Sequence, residues 1–235
     1  MNTWITRRRS VRKYTATPVD DATLENILAF AAKMNPLYPD IRVSARVVKQ
    51  DQVRFYLPWK TPQLLAIYSE NKPGYLENAG FLYQQMDLYL QSLGLGSCWM
   101  GLGKLRQDPV EDLEFVILLA FGWPDEVPPR THISQFHRKS LSEIADREDA
   151  KLEPARLAPS STNSQPWYFT HEGDKYHAFQ ATAGLLKHKM LEKMNRIDMG
   201  IALAQLYVAN AETFRFSLGD VTDLKGYDYI GSFTL

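Results

Sequence analysis

The chain has 235 residues, 45% of them hydrophobic, and 27 basic side chains balance 27 acidic ones. That length supports a sizeable core, and Cys98, the only cysteine, excludes an intramolecular disulfide or a cysteine-cluster metal site and suggests a reducing compartment, the cytoplasm. The charge balance removes any global field favouring nucleic acid or an anionic membrane, no segment reaches the roughly 20 apolar residues that span a bilayer, and no secretory signal is expected because the basic leader runs into Ser10, Val11, Arg12 and Lys13.

Arg7, Arg8, Arg9, Arg12 and Lys13 place five cations within seven residues ahead of the first helix. So dense a cluster needs a counter-charge, and a terminal phosphate held by guanidinium forks and the Ser10 hydroxyl would supply it. A solvated basic tail or a weak nucleic-acid patch is the competing reading of this segment by itself. Pro18-Val19-Asp20 then precedes Leu24, Ile27, Leu28 and Ala31, a helical spacing with Asp20 as N-cap and Val19 placed to staple onto Leu24. Residues 43–57 and 63–68 carry β-branched and apolar runs and read as strands. From Leu76 to Leu93 the positions Leu82, Met86, Tyr89, Leu90 and Leu93 recur at helical spacing, with Gly94 as a left-handed stop. The unbroken run Phe115 to Phe121 reads as a strand buried on both faces.

The charged stretch from Glu143 to Lys151 reads as a surface helix or a linker between halves. Beyond it, Trp167–Thr170 and Tyr176–Phe179 flank Glu172-Gly173-Asp174, a hairpin signal, and a nearly all-round apolar helix is expected from about Arg196 to Glu212. Gly80-Phe81-Leu82-Tyr83-Gln84-Gln85-Met86 and Gly200-Ile201-Ala202-Leu203-Ala204-Gln205-Leu206 share glycine first, glutamine sixth and a long apolar residue last. The match suggests two related halves offset by 120 residues, with small residues that let a central helix pair cross closely.

Pro159-Ser160-Ser161-Thr162-Asn163-Ser164-Gln165-Pro166-Trp167 is a loop by composition. Its hydroxyls and carboxamides suit a neutral, hydrogen-bond-rich partner such as a ribityl chain or ring carbonyls, although the segment alone reads first as a turn before a strand. Taken together, the Arg-Arg-Ser-x-Arg leader and this loop resemble the two flavin-contacting signatures of the FMN-dependent nitroreductase family. The segment from Gly94 to Gly101, Phe121-Gly122-Trp123-Pro124 and His137-Arg138-Lys139 extend the resemblance over most of the chain.

The resemblance implies an α+β fold, a three-layer α/β/α arrangement with mainly antiparallel sheets. It implies that Arg8, Arg9 and Ser10 hold the phosphate and ribityl end of FMN, with Arg138 or Lys139 adding charge. Arg12 would lie at the pyrimidine side of the ring, the backbone of Met100 and Gly101 at N5, and Pro159, Ser160, Ser161 and Asn163 on the far face. No side chain is assigned acid-base catalysis. NADH or NADPH would be the donor, and a nitroaromatic, quinone or similar small molecule the acceptor; the alternative is a flavin-binding or flavin-processing protein on the same scaffold without nitroreductase turnover. One departure from the pattern is informative. After the first helix the chain reads Met34-Asn35-Pro36-Leu37-Tyr38-Pro39-Asp40, and the Ser/Asn/Gln-Pro-Trp loop comes only beyond the midpoint. This points to a fused pseudo-dimer, residues 1–144 carrying the arginine motif and 145–235 the loop, with one FMN site per chain. It would be a monomer or weak homodimer, with no nucleic-acid or membrane partner.

Overall fold

The computed structural model describes residues 1–54, 59–106, 110, 112–182 and 188–235. The expected strand residues Phe55, Tyr56 and Leu57 lie outside that set. A short turn α1 (Asn2–Ile5) opens the chain, followed by α2 (Asp21–Ala31). Asp20 caps α2, its Oδ1 accepting the Thr23 N–H at 3.0 Å.

Strands β1 (Val43–Lys49), β3 (Gln63–Ser69), β4 (Gly96–Met100) and β6 (Glu114–Gly122) form one antiparallel sheet in the order β1-β3-β6-β4, while β2 (Val53–Arg54) pairs with β5 (Lys104–Leu105). The β3 strand is buried throughout because both of its faces are covered. Leu65 and Ile67 enter the main core, and Leu64, Ala66 and Tyr68 enter a second cluster with Leu118 and Ala120 of β6. Between β3 and β4 runs the long helix α3 (Tyr75–Ser92), stopped at Gly94, whose φ is 82°.

The second sheet, β7 (Trp167–Glu172), β8 (Lys175–Ala181), β9 (Arg215–Ser217) and β10 (Tyr227–Thr234), has the order β7-β8-β10-β9. Its connectivity repeats the first: a hairpin pair, a long helix, an edge strand, then the strand that fills the centre. The helix here is α6 (His188–Ala209), which starts earlier and ends sooner than the apolar stripe suggests. Its first turns are too polar to carry a periodic signal, and Asn210 ends it by turning its side-chain amide onto Leu206 O at 3.0 Å.

Helices α3 and α6 cross at glycine. A Cβ on Gly80 would stand 2.1 Å from Ile197 O, and one on Gly200 would stand 1.9 Å from Glu77 O. Each glycine therefore receives the carbonyl three residues before the other glycine, which gives the crossing a local two-fold character. The α+β class with mainly antiparallel sheets is as the family resemblance implies. One core holds Phe81 and Met86 of α3, Leu203 and Leu206 of α6, and inner-face residues of both sheets, Leu119 and Phe169 among them.

The segment expected as a surface helix or linker is neither a single helix nor free. It divides into α4 (Leu141–Ile144), a tight turn at 150–152 and α5 (Glu153–Arg156), with Ile144 and Leu152 fully buried. His171 of β7 ties it down, its Nδ1 2.5 Å from Asp146 Oδ1 and its Nε2 3.5 Å from Asp149 Oδ2. Among the described residues no helix is long and apolar enough to cross a membrane.

Candidate functional site

The basic leader reaches the interior because it is laid along the edge of β4. Ser10 bridges Ser97 in the parallel sense, the Val11 N–H donates to Ser97 O at 2.9 Å, and Gly96 lacks the Cβ that would come within 2.7 Å of Val11. Beneath it, α3 presents a buried polar network. Asp87 accepts from Ser97 Oγ at 2.5 Å and from Gln84 Nε2 at 3.0 Å, and Gln91 Nε2 donates to Arg9 O at 2.9 Å. Arg8 completes the network with 1% exposure, its Nε 2.8 Å from Asp87 Oδ2 in a charge contact rather than an aligned hydrogen bond. The leader therefore does not share one external counter-charge: Arg8 is committed to Asp87, Lys13 lies 3.0 Å from Asp125, and Arg7 stacks over Trp4. Arg12 stays exposed.

Opposite the leader lies the loop after α5. Thr162, Asn163 and Gln165 take φ values of 51°, 59° and 49°, a left-handed conformation that non-glycine residues keep only when the surroundings over-determine it. Here they do. Ser160 Oγ accepts the Gln165 N–H at 2.9 Å, Asp198 Oδ2 accepts the Ser161 N–H at 2.9 Å, and Lys139 donates its N–H to Gln165 Oε1 at 2.7 Å. Arg138 braces the whole turn, reaching Ala158 O at 2.9 Å and Asn163 Oδ1 at 2.6 Å.

Leader and loop face each other across one cleft of about 130 Å³, or about 580 Å³ with its open mouth included. Six of the sequence-predicted residues line it: Ser10, Arg12, Gly101, Pro159, Ser160 and Ser161. Trp99 and Ile117 come from the first sheet, and α6 adds Met194, Ile197, Asp198 and Ile201. Gly101 permits this approach, since a Cβ there would lie 2.6 Å from Met194 Sδ. The other predicted residues do not line the cleft. Arg8 and Met100 are buried beside it, Arg9 donates to Pro128 O at 3.2 Å, Lys139 turns its Nζ to Gln165 O, and Asn163 and Arg138 hold each other.

Two features lay outside the sequence reading. The first is that Arg130 and Arg156 join the predicted Arg8, Arg9 and Arg138 in one cluster of guanidinium groups at the loop's end. Burial, followed by the neighbouring arginines, lowers both Arg130 and Arg138 to about 10. Asp87 answers Arg8 and Glu153 answers Arg156, but among the described residues neither Arg130 nor Arg138 has a carboxylate partner. The second is Asp198, 4% exposed on α6, whose carboxyl full burial holds well above the usual carboxylate range against the pull of the Ser161 N–H. A carboxylate between Ile197 and Ile201 on a buried stripe was the available signal; Arg130, in a proline-rich connection, offered none.

The family model described as "Putative TM nitroreductase" matches residues 1–210. The chain belongs to this nitroreductase family. The fold agrees: the crystal structure described as a putative nitroreductase from Thermotoga maritima is 18% identical, covers 99% of this chain and 91% of its own, and superposes with a TM-score of 0.66. A nitroreductase family protein from Clostridium difficile is 18% identical over 63% of this chain and 98% of its own at a TM-score of 0.49. An FMN-dependent nitroreductase from the same species is 19% identical over 58% of this chain and 95% of its own at 0.47. No curated protein matches the chain significantly. For a nitroreductase-family chain, the notable point is that one polypeptide brings both the leader and the loop to a single cleft.

Proposed function

We propose that this chain binds one FMN in the cleft and acts as an NAD(P)H oxidoreductase on a small electron-poor acceptor such as a nitroaromatic or quinone. The observation that carries the reading is the convergence of the arginine leader and the 159–162 loop, some 150 residues apart in sequence, on the same cleft. The residues present suit the group. Ile117, Met194, Ile197 and Ile201 offer apolar surface to a ring, and Ser10, Arg12, Ser160 and Ser161 offer polar atoms to its edges. Arg130 and Arg138, which have no carboxylate partner among the described residues, would supply the charge that a phosphate dianion needs, with Arg9 close to Arg130.

Bound FMN would supply two-electron hydride chemistry, and the chain would supply orientation, electrostatics and access. Arg12, which lines the cleft, would supply fixed positive charge at the pyrimidine edge and so favour negative charge there. The Gly101 backbone would face the ring with no side chain of its own, alongside Met194. The shallow, open side of the cleft would admit nicotinamide and acceptor in turn, which gives ping-pong kinetics.

The repeated sheet order and the reciprocal Gly80 and Gly200 contacts support a fused pseudo-dimer of halves 1–144 and 145–235. At the position equivalent to the cleft, Gly74 stands where Met194 stands in the first, and the Tyr38 ring lies over it, 2.7 Å from where a Cβ would be, with its edge against Phe216 at 5.5 Å. The Tyr38 ring occupies that position, and the arginine leader and its facing loop each occur once in the chain, which supports one FMN per chain and a complete site within a monomer. The lone buried thiol and a nicotinamide donor fit the cytoplasm.

Titration with FMN should saturate with quenching of flavin fluorescence, and NADH or NADPH should bleach the visible absorption of the complex. A flavin-loaded protein that neither nucleotide reduces would favour the flavin-processing alternative. A chain that takes up no FMN refutes the proposal.

A further inference from the structure

Both long helices hold the loop that precedes them in their own half, and they do so from equivalent positions. On α3, Asn78 Oδ1 accepts the N–H groups of Leu37 and Tyr38 at 2.9 and 3.0 Å, and its Nδ2 donates back to Tyr38 O at 3.3 Å. On α6, 120 residues later, Asp198 Oδ2 accepts the Ser161 N–H at 2.9 Å. The equivalence is fixed by the helix crossing, where Gly80 and Gly200 exchange carbonyl contacts with Ile197 and Glu77. A neutral amide therefore suffices to anchor a loop at this position.

The carboxyl in the second half is the exception, and it is the one that faces the open cleft. Asp198 is 4% exposed, Oδ2 is engaged by Ser161, and among the described residues no cation pairs with it. Arg196, the nearest cation before it on α6, is engaged by Glu77 at 2.7 Å. The other charged or titratable groups lining the cleft are Arg12 from the leader and Cys98 on β4, a thiol that burial pushes up. A carboxylate left unpaired in such a place is costly, whereas a carboxylic acid fits it and carries one donatable proton.

We propose that the Asp198 carboxyl donates the proton that accompanies hydride delivery to the acceptor in this cleft. The inference rests on the flavin reading and adds an acid to a site where the sequence suggested none. For a quinone acceptor the balance is closed: a hydride from the nicotinamide-reduced flavin and a proton from Asp198 convert one quinone to one quinol. The carboxylate left on Asp198 then regains its proton from water through the open mouth. Reduction of the flavin by NADH or NADPH delivers hydride alone and has no call on this proton, and neither has a one-electron acceptor such as ferricyanide.

Asp198→Asn reproduces the chemistry found at Asn78, so it keeps the loop anchor and removes the proton. Three measurements test the proposal. FMN titration of wild type and variant reports the flavin reading; failure of both to bind defeats that reading and the donor role with it, whereas binding by wild type leaves the inference to the other two. Infrared difference spectra of the ligand-free proteins at neutral pH should show a protonated-carboxyl band in wild type that Asp198→Asn lacks, and its absence from wild type overturns the inference. In stopped-flow reoxidation of the NADH-reduced complex, Asp198→Asn should slow the quinone reaction relative to ferricyanide by roughly 10²- to 10⁴-fold, the usual range for losing a general acid. An unchanged quinone-to-ferricyanide ratio overturns it. If the variant fails to fold, the wild-type protein decides: its quinone step should fall as pH rises through the Asp198 titration while its ferricyanide step does not, and parallel profiles overturn the proposal.

Discussion

Arg8 and Arg12 sit four positions apart in the same basic leader, yet they make opposite demands on the fold. Arg8 is buried against Asp87, and removing one member of a buried ion pair leaves the other charge without compensation. Arg8→Met should therefore lose about 3–5 kcal/mol of unfolding free energy in urea titrations. Arg12→Met should stay within about 0.5 kcal/mol of wild type, as surface substitutions do, while weakening FMN binding. Equal stability of the two variants would show that the Asp87 contact carries no weight. Asp198 makes a pH prediction. Its folded pKa is raised, so the folded state binds its proton more tightly than the unfolded chain, and the stability this contributes is present in acid and lost as pH rises above about 4 toward the folded value. Melting temperatures of wild type should fall more between pH 5 and 8 than those of Asp198→Asn; parallel curves would mean that the carboxyl is not held neutral.

At the scale of elements, the α3 and α6 crossing and the anchored 145–152 segment carry the most testable content. A Cβ on Gly80 or Gly200 would penetrate a backbone carbonyl, which no rotamer change relieves. Gly80→Ala and Gly200→Ala should each cost at least the about 1–3 kcal/mol of ordinary overpacking. Because either methyl splays the same crossing, the double variant should lose less than the sum, a coupling that a double-mutant cycle in urea measures directly. Simple additivity would argue that the two contacts relax independently. The turn before α5 behaves differently. Burial raises Asp146 and Asp149, but hydrogen bonds from His171 and nearby N–H groups, with Tyr176 for Asp149, outweigh it and leave both below the usual carboxylate range. The sign is opposite to that of Asp198: this stability exists above about pH 4 and is lost as pH falls through the lowered values. Asp146→Asn should flatten the acid limb of the melting-temperature profile, and an unaltered limb would exclude the His171 clamp as its source.

For the molecule as a whole, the expectation is one flavin per chain. The chain carries one arginine leader and one facing loop, so equilibrium titration should saturate at one FMN, and saturation should raise stability by about 2.7 kcal/mol at a free FMN concentration 100-fold above its dissociation constant. A stoichiometry of two, or a half-site that appears only at high protein concentration, would contradict a complete site within one chain.

Much of this was legible in the residues because it depends on short-range chemistry. Asp20 caps α2, the apolar run ending at Phe121 is a buried strand, the Glu172-Gly173-Asp174 turn closes a hairpin, and the two signature segments stood out by their resemblance to the nitroreductase family. The polar start of α6 was not legible, because nothing periodic marks it. What only the tertiary structure decided is which cations are neutralised internally and which face a ligand. Arg8, Arg9, Arg12, Arg130 and Arg138 are alike as letters, and only the packing of the leader on β4 and of α3 on α6 separates the buried partner of Asp87 from the rest. The same holds for Asp198. Its neighbours in sequence mark a buried stripe, but only long-range packing leaves it the Ser161 N–H and, among the described residues, no cation, and that packing, beside the crossing of two glycines 120 residues apart, is what sets an aspartate as an acid at the wall of a cleft.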